Sequence, residues 1–366
     1  MVEMKDNNFF NVIIIGGGPA GIAAGLTLNS RNISTVIVEA NQLSNQKVGE
    51  CIPPNAYPLF QKMGLESLLI DEKHHLYYGN KSVWGTSILH EKLFLFDRYN
   101  KGILLNRTYF EKQLQDISKR NQINWLVDYT LYTINKEKNF TKVVLKSKTD
   151  ELTLFCNYVV DATGRKASVC RKLGIEKKTL DQLASLSFKC QIKTTIPFYV
   201  HTESFENGWI YVSPSEGDNV IVMIFTDLDL IPSKNKGKDF ILDIMNNSQL
   251  GQKVFKTRLE EDNIFDITTR IANTTYLEKP FGGNWLAIGD AAYSFDPLSS
   301  YGITSALASG YYGGHALADI LLKKEEALDV YHYIMRDAFE NYKVQLHEQY
   351  ALESRWANSI FWSRRN

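Results

Sequence analysis

Gly16, Gly18 and Gly21 stand at G-x-G-x-x-G spacing, with Pro19 and Ala20 between the last two. Absent side chains at that spacing let backbone N–H groups and the start of a helix approach a pyrophosphate. Glu39, followed by Ala40, lies where a carboxylate holds both hydroxyls of an adenosine ribose and would repel a 2′-phosphate. This motif alone does not separate a nicotinamide from a flavin dinucleotide. A second cluster does. Gly289-Asp290-Ala291-Ala292 follows a strand-like run, and Asp296-Pro297-Leu298-Ser299-Ser300-Tyr301-Gly302-Ile303 opens a helical one. Asp290 can bind a ribityl hydroxyl. The N–H groups near Tyr301 and Gly302 can face the pyrimidine edge of a flavin, where a helix N-terminus stabilises negative charge on the reduced ring. Asp296 or Ser299 taken singly reads as a helix cap; the whole string points to FAD.

Other residues carry chemistry of their own. Trp209 and Tyr211 alternate on an expected strand, so one face either lines an aromatic substrate pocket or fills a core. Glu50 can serve as acid or base beside a flavin ring, or cap its loop. Cys51 next to it is a redox candidate, with a small buried thiol the expected role. His74 and His75 are adjacent, and adjacent residues rarely chelate one ion, so no metal site is expected.

The elements that must position these groups follow from periodicity. Asn11–Ile15, the glycine turn, Ile22–Leu28 and Thr35–Glu39 read as a βαβ unit. Tyr109–Arg120 has a helical pattern, and Lys142–Leu145, Leu152–Phe155 and Tyr158–Asp161 read as strands. Gly208–Val212 and Asn219–Phe225 flank a Ser215-Glu216-Gly217-Asp218 turn as in a hairpin. Trp285–Ile288 is a strand, a helix follows from about Gly302 to Leu322, and the tail is helical and polar with an aromatic end at Trp356, Phe361 and Trp362. The expected fold is therefore α/β. A Rossmann dinucleotide domain of the glutathione-reductase type is built from residues 1–75, 101–180 and 271–322. An inserted β-sheet substrate domain takes 76–100 and 181–270, and 323–366 form a C-terminal helical segment.

Composition adds limits. In 366 residues, Lys+Arg and Asp+Glu are equal at 41 each, so no global field draws the protein to nucleic acid or anionic lipid. The four cysteines form no CxxC pair, and Val12–Ile15 is too short for a signal peptide or membrane span; a reducing cytoplasm fits best.

The strings GGGPAG with Glu39, Asp161-Ala162-Thr163-Gly164-Arg165, and Gly289-Asp290 with DPLSSYGI resemble the three fingerprints of the para-hydroxybenzoate-hydroxylase-like flavoproteins. Val48-Gly49-Glu50-Cys51-Ile52-Pro53-Pro54 and DPLSS resemble the tryptophan-halogenase and geranylgeranyl-reductase branch. On that resemblance Gly16, Gly18, Pro19, Ala20, Gly21, Glu39, Ala40, Gly49, Glu50, Arg107, Asp161, Ala162, Gly164, Gly289, Asp290, Pro297, Tyr301, Gly302 and Ile303 are expected to hold FAD noncovalently. Glu50, Trp209, Tyr211 and Ser300 are expected at the reacting centre. Two departures argue against halogenation. The halogenase W-x-W-x-I-P string is replaced by Gly208-Trp209-Ile210-Tyr211-Val212-Ser213-Pro214, and of the two candidates for the halogenase lysine Lys73 lies in the wrong surroundings, which leaves Lys81. GWIYVSP, Phe225-Thr226-Asp227 and Ala272-Asn273-Thr274-Thr275 look more like the LodB, GoxB and QhpG flavoproteins of cysteine tryptophylquinone maturation.

That likeness implies a monooxygenase using O2, in which an electron-rich ring attacks activated oxygen, the substrate being a tryptophan in the precursor of a quinoprotein oxidase or dehydrogenase. No second dinucleotide fingerprint is visible, so NAD(P)H binds transiently or a flavin reductase supplies electrons. The alternatives are a small-molecule aromatic hydroxylase or halogenase-like enzyme, a geranylgeranyl-reductase-like flavoprotein, or an FAD-containing maturation chaperone. A macromolecular substrate further implies a wide mouth flanked by the region around Trp209. The tail Trp356, Phe361 and Trp362 is either an interface anchor or a helix docked on its own domain.

Overall fold

The computed structural model describes residues 8–41, 51–191, 199–215, 219–233, 237–255 and 259–365. Its first sheet is organised by the strand Phe9–Ile15, which pairs in parallel with Thr35–Glu39 on one side and with the end of Glu151–Asp161 on the other. Asn124–Val127 and Trp285–Ala287 extend the parallel set outward. Such strands are covered on both faces and read as continuous apolar runs. Their alternate residues accordingly enter two cores. Val12, Ile14, Ile37 and Val160 join one, and Ile13, Ile15, Val36 and Val159 the other. The runs expected at Leu152–Phe155 and Tyr158–Asp161 form one strand, because nothing at Cys156-Asn157 breaks it. Its first half pairs antiparallel with Thr141–Lys146.

The helix Pro19–Ser30 leaves the glycine turn and packs along Gly302–Leu321. Small residues permit this approach: a Cβ on Gly310 would lie 2.2 Å from the Ala20 carbonyl oxygen.

A second, seven-stranded sheet runs in the order Ile264–Ile271, Leu183–Gln191, Asn219–Asp227, Gly208–Pro214, Val200–Phe205, Gly79–Val83 and His90–Leu93. The hairpin read from the sequence is present, Gly208–Pro214 against Asn219–Asp227, with Trp209 opposite Phe225. Alternation again divides the faces. Ile210, Val212, Val222 and Ile224 pack with Ile241 and Met245 of the helix Gly237–Asn247. Trp209, Tyr211, Met223 and Phe225 pack on the other face with residues from the C-terminus.

Those residues arrive on the helix Ala327–Ala351. Leu328, Tyr331, Met335, Phe339 and Tyr342, spaced at helical intervals, face the first core, and Tyr350 enters the second. The short helix Ile360–Ser363 then buries Phe361 and Trp362 completely, with the Trp362 indole N–H donating to the Phe205 carbonyl at 2.9 Å. Arg364 and Arg365 pair with Asp227. Of the two readings of the aromatic tail, docking on its own chain is the one realised for Phe361 and Trp362. Among the described residues no helix is long and apolar enough to cross a membrane.

Candidate active site

The glycine turn is shaped by close backbone approach. Gly16 has φ +111, and a Cβ there would lie 2.2 Å from the Ala162 carbonyl oxygen; one on Gly21 would lie 2.0 Å from that of Gly16. Gly18 differs: nothing lies within 4 Å of its Cβ position. It opens the helix with no side-chain cap and no acid in the first turn, so the first-turn N–H groups lack a side-chain acceptor at the positive end of the helix dipole. That cradle fits a pyrophosphate. Glu39 is fixed beside it, Oε2 accepting from the Gly17 N–H at 2.7 Å and Oε1 from the Asn41 N–H at 3.2 Å. Each oxygen retains lone-pair capacity for a ribose hydroxyl.

Asp161 is fully buried, and its carboxylate is engaged within the chain. Oδ1 accepts from the Thr163 N–H and hydroxyl at 3.1 and 2.7 Å, and Oδ2 from the N–H groups of Val169 and Cys170 at 2.8 and 2.9 Å. With four donors already on it, this carboxylate holds the turn that carries Ala162 and Gly164. The space beside Gly164 is open.

Gly289, at φ +57, turns the chain so that Asp290 follows the strand end, and its N–H donates to the Ser309 hydroxyl at 2.8 Å. The Asp290 carboxylate is partly exposed and lies 3.5 Å from Arg165. Arg165 also donates to the carbonyls of Asn273 and Phe295. The Lys177 ammonium donates to the Asp290 carbonyl at 2.6 Å, and burial pushes its pKa down to about 8 against the pull of the Asp290 charge. Sequence reasoning missed both cations as organisers of this turn. Arg165 stood in a quoted string, whereas Lys177 carries no local signal.

Arg107 starts the helix Arg107–Arg120, capped by Asn106, whose Oδ1 accepts from the Tyr109 N–H at 3.1 Å. The buried Glu111 grips its guanidinium one turn on, at 2.9 and 2.8 Å, which fixes the fork against the helix start. The Pro297–Ser299 turn ends in Ser300 at φ +55, and Tyr301 leads into the Gly302–Leu321 helix. That helix also lacks a side-chain cap or first-turn acid, and the Cβ position of Gly302 is open. Ile303 is buried behind it. Gly18 and Gly302 thus mark two helix starts with no side-chain cap and with open Cβ positions.

Trp209 does not line a pocket. It is 1% exposed, stacked on Phe225 at 3.9 Å between ring centroids and edge-on to Trp84 at 6.4 Å. Tyr211 is buried in the same cluster, which also takes in Tyr77, Cys51 and Leu298 of the DPLSS turn. Cys51 Sγ and Tyr77 Oη lie 2.6 Å apart, and burial raises the Tyr77 pKa far above its ordinary value. A cavity of about 430 Å3 lies at the far end of the hairpin, between Pro214 and Ile221 on the sheet and Arg107 and Tyr109 on the helix. Gly49 and Glu50 lie outside the described residues.

Comparison with known proteins agrees with this geometry. The family model described as an FAD binding domain matches residues 10–342. LodB of Marinomonas mediterranea, which bears the name of an FAD-dependent oxidoreductase, is 26% identical over 363 residues, covering 98% of this chain and 97% of its own. The solved structure of the flavin-dependent halogenase CmlS superposes with a TM-score of 0.87 at 21% identity, covering 100% of this chain and 68% of that one. That of QhpG, a peptidyl tryptophan dihydroxylase essential for tryptophylquinone cofactor biogenesis, does so with a TM-score of 0.80 at 20% identity, covering 97% and 78%.

Proposed function

The chain belongs to the FAD binding domain family and is an FAD-dependent oxidoreductase, and from that premise we propose that it is a monooxygenase that hydroxylates a tryptophan side chain in the precursor of a cysteine tryptophylquinone protein. When bound, the flavin supplies two-electron reduction and oxygen activation. The chain's part is positional. The Gly18 and Gly302 helix starts, Glu39, Asp290 and Arg107 hold the dinucleotide, and the buried cluster around Tyr211 and Leu298 keeps water from one side of the site. Electrons come from NAD(P)H or a separate reductase.

The observation that carries the choice of substrate is the end-to-end likeness to LodB, joined by the fold likeness to QhpG, whose described reaction is on peptidyl tryptophan. Halogenation has the higher TM-score of CmlS in its favour. Against it, Lys81 is paired with Glu91 at 2.8 Å near the sheet edge, and the single tryptophan of the Gly208–Pro214 strand is sealed in the core. To test the reading, reduced holoprotein, O2 and chloride are mixed with free tryptophan, short tryptophan peptides or an unmodified quinoprotein precursor, and products are weighed by mass spectrometry. Added oxygen on the precursor is expected. Oxygen added only to free tryptophan would remove the protein substrate, and chlorotryptophan would overturn the monooxygenase reading.

A further inference from the structure

The turn that opens the Gly302–Leu321 helix hangs on one buried carboxylate. Asp296 is 2% exposed; its Oδ1 accepts from the Leu298 N–H at 2.8 Å and its Oδ2 from the Tyr350 hydroxyl at 2.8 Å. Its backbone N–H donates to the Tyr342 hydroxyl at 2.6 Å, and its carbonyl accepts from the Ser299 hydroxyl at 2.8 Å. Both tyrosines come from Ala327–Ala351, the helix that follows Gly302–Leu321.

The direction of the Tyr350 bond is fixed by chemistry. The Trp209 indole N–H lies 3.1 Å from the Tyr350 oxygen and can only donate, so the hydroxyl accepts there and turns its proton to Asp296. The result is a chain from the sheet, through the C-terminal helix, to the flavin turn. Packing does not explain it. The Tyr350 ring sits among Trp84, Phe361 and Trp362, a site that phenylalanine would fill as well. Burying a hydroxyl and a carboxylate costs free energy that an apolar pair would avoid.

We propose that Tyr350 is a positioning residue for the flavin: through Asp296 it fixes the Pro297–Tyr301 turn, whose own N–H groups are spent within the turn, and so sets how the uncapped helix start at Gly302 and Ile303 presents its N–H groups to the reduced ring. The proposal rests on the reading that the chain binds FAD, and it is independent of the substrate. Losing the bond lets the turn relax, and oriented N–H groups that relax stabilise developing negative charge less.

The experiment is a dye-coupled equilibrium titration of the flavin midpoint potential in holoprotein, with FAD content and unfolding midpoint recorded beside it. Tyr350→Phe should keep its FAD and its fold and shift the potential to more negative values. Trp209→Phe, which removes the donor that aims the hydroxyl together with part of a buried ring, should shift it less in the same direction, and its unfolding midpoint should fall. Tyr350→Phe should add no further shift in an Asp296→Ala background. An unchanged potential with FAD bound overturns the proposal, even if stability falls. Additive shifts of Tyr350→Phe and Asp296→Ala overturn it as well. Absence of bound FAD from wild-type protein would instead overturn the underlying flavin reading.

Discussion

The Gly289-Asp290 turn shows how much of a site hangs on single side chains. Removing the Asp290 carboxylate deletes an acceptor for a ribityl hydroxyl and leaves Arg165 without its ionic partner. A charge-assisted hydrogen bond is worth about 1.5–3 kcal/mol, so Asp290→Ala should weaken FAD binding by about 10- to 150-fold in a fluorescence titration. Unchanged affinity would show that the motif is misassigned. His201 makes a prediction about pH. It is 6% exposed, neither ring nitrogen has a partner among the described residues, and burial, aided by Lys81 and opposed by Glu91, pushes its pKa down to about 4. A depressed folded pKa gives a contribution that is complete above the unfolded value of 6.5 and is lost as pH falls through 4. The loss amounts to about 3 kcal/mol in the acid limit. Urea unfolding of His201→Phe should therefore show a flatter decline than wild type between those pH values, and parallel declines would refute the assignment. The glycines were legible because spacing alone exposes a demand for bare backbone. Lys177 and Tyr350 were not, because each meets its partner across more than fifty residues, at no spacing a motif could encode.

Among the elements, the strands of both sheets were legible because alternation and β-branched runs report how a strand is buried. What covers a face is a different matter. The alternation of Trp209 and Tyr211 showed that they share a side, but not that a terminal helix would close over it. That cover is supplied by Tyr350, Phe361 and Trp362. The tail composition, Trp beside Arg, suits an interface as well as an intramolecular dock, and only the sheet's own unfilled face decides between them. Trp362 is 0% exposed, packed edge-on to Trp84 at 5.5 Å and hydrogen-bonded to Phe205. Trp362→Ala should cost about 3–5 kcal/mol of stability, read from urea unfolding of the holoprotein. A loss below about 1 kcal/mol would mean that the tail is only loosely docked.

For the whole molecule, distant stretches of sequence converge. The turns at Gly16, Ala162 and Gly289 meet because parallel strands end at one edge of the first sheet, where open α/β sheets bind their ligands. The presence of a dinucleotide site was thus readable from three separated strings. The substrate side was less so, since a pocket is made by whatever the β-sheet leaves uncovered, and alternation alone did not show that Trp209 is buried. The central claim is that reduced protein passes oxygen to an aromatic ring. Its most direct test is rapid mixing of anaerobically photoreduced holoprotein with oxygenated buffer, followed by absorbance. The account predicts two phases: a transient spectrum belonging to neither reduced nor oxidised flavin, then return to the oxidised form, with the second phase faster when a tryptophan substrate is present. A single-phase return to oxidised flavin, unaffected by substrate and yielding one hydrogen peroxide per flavin, would contradict it.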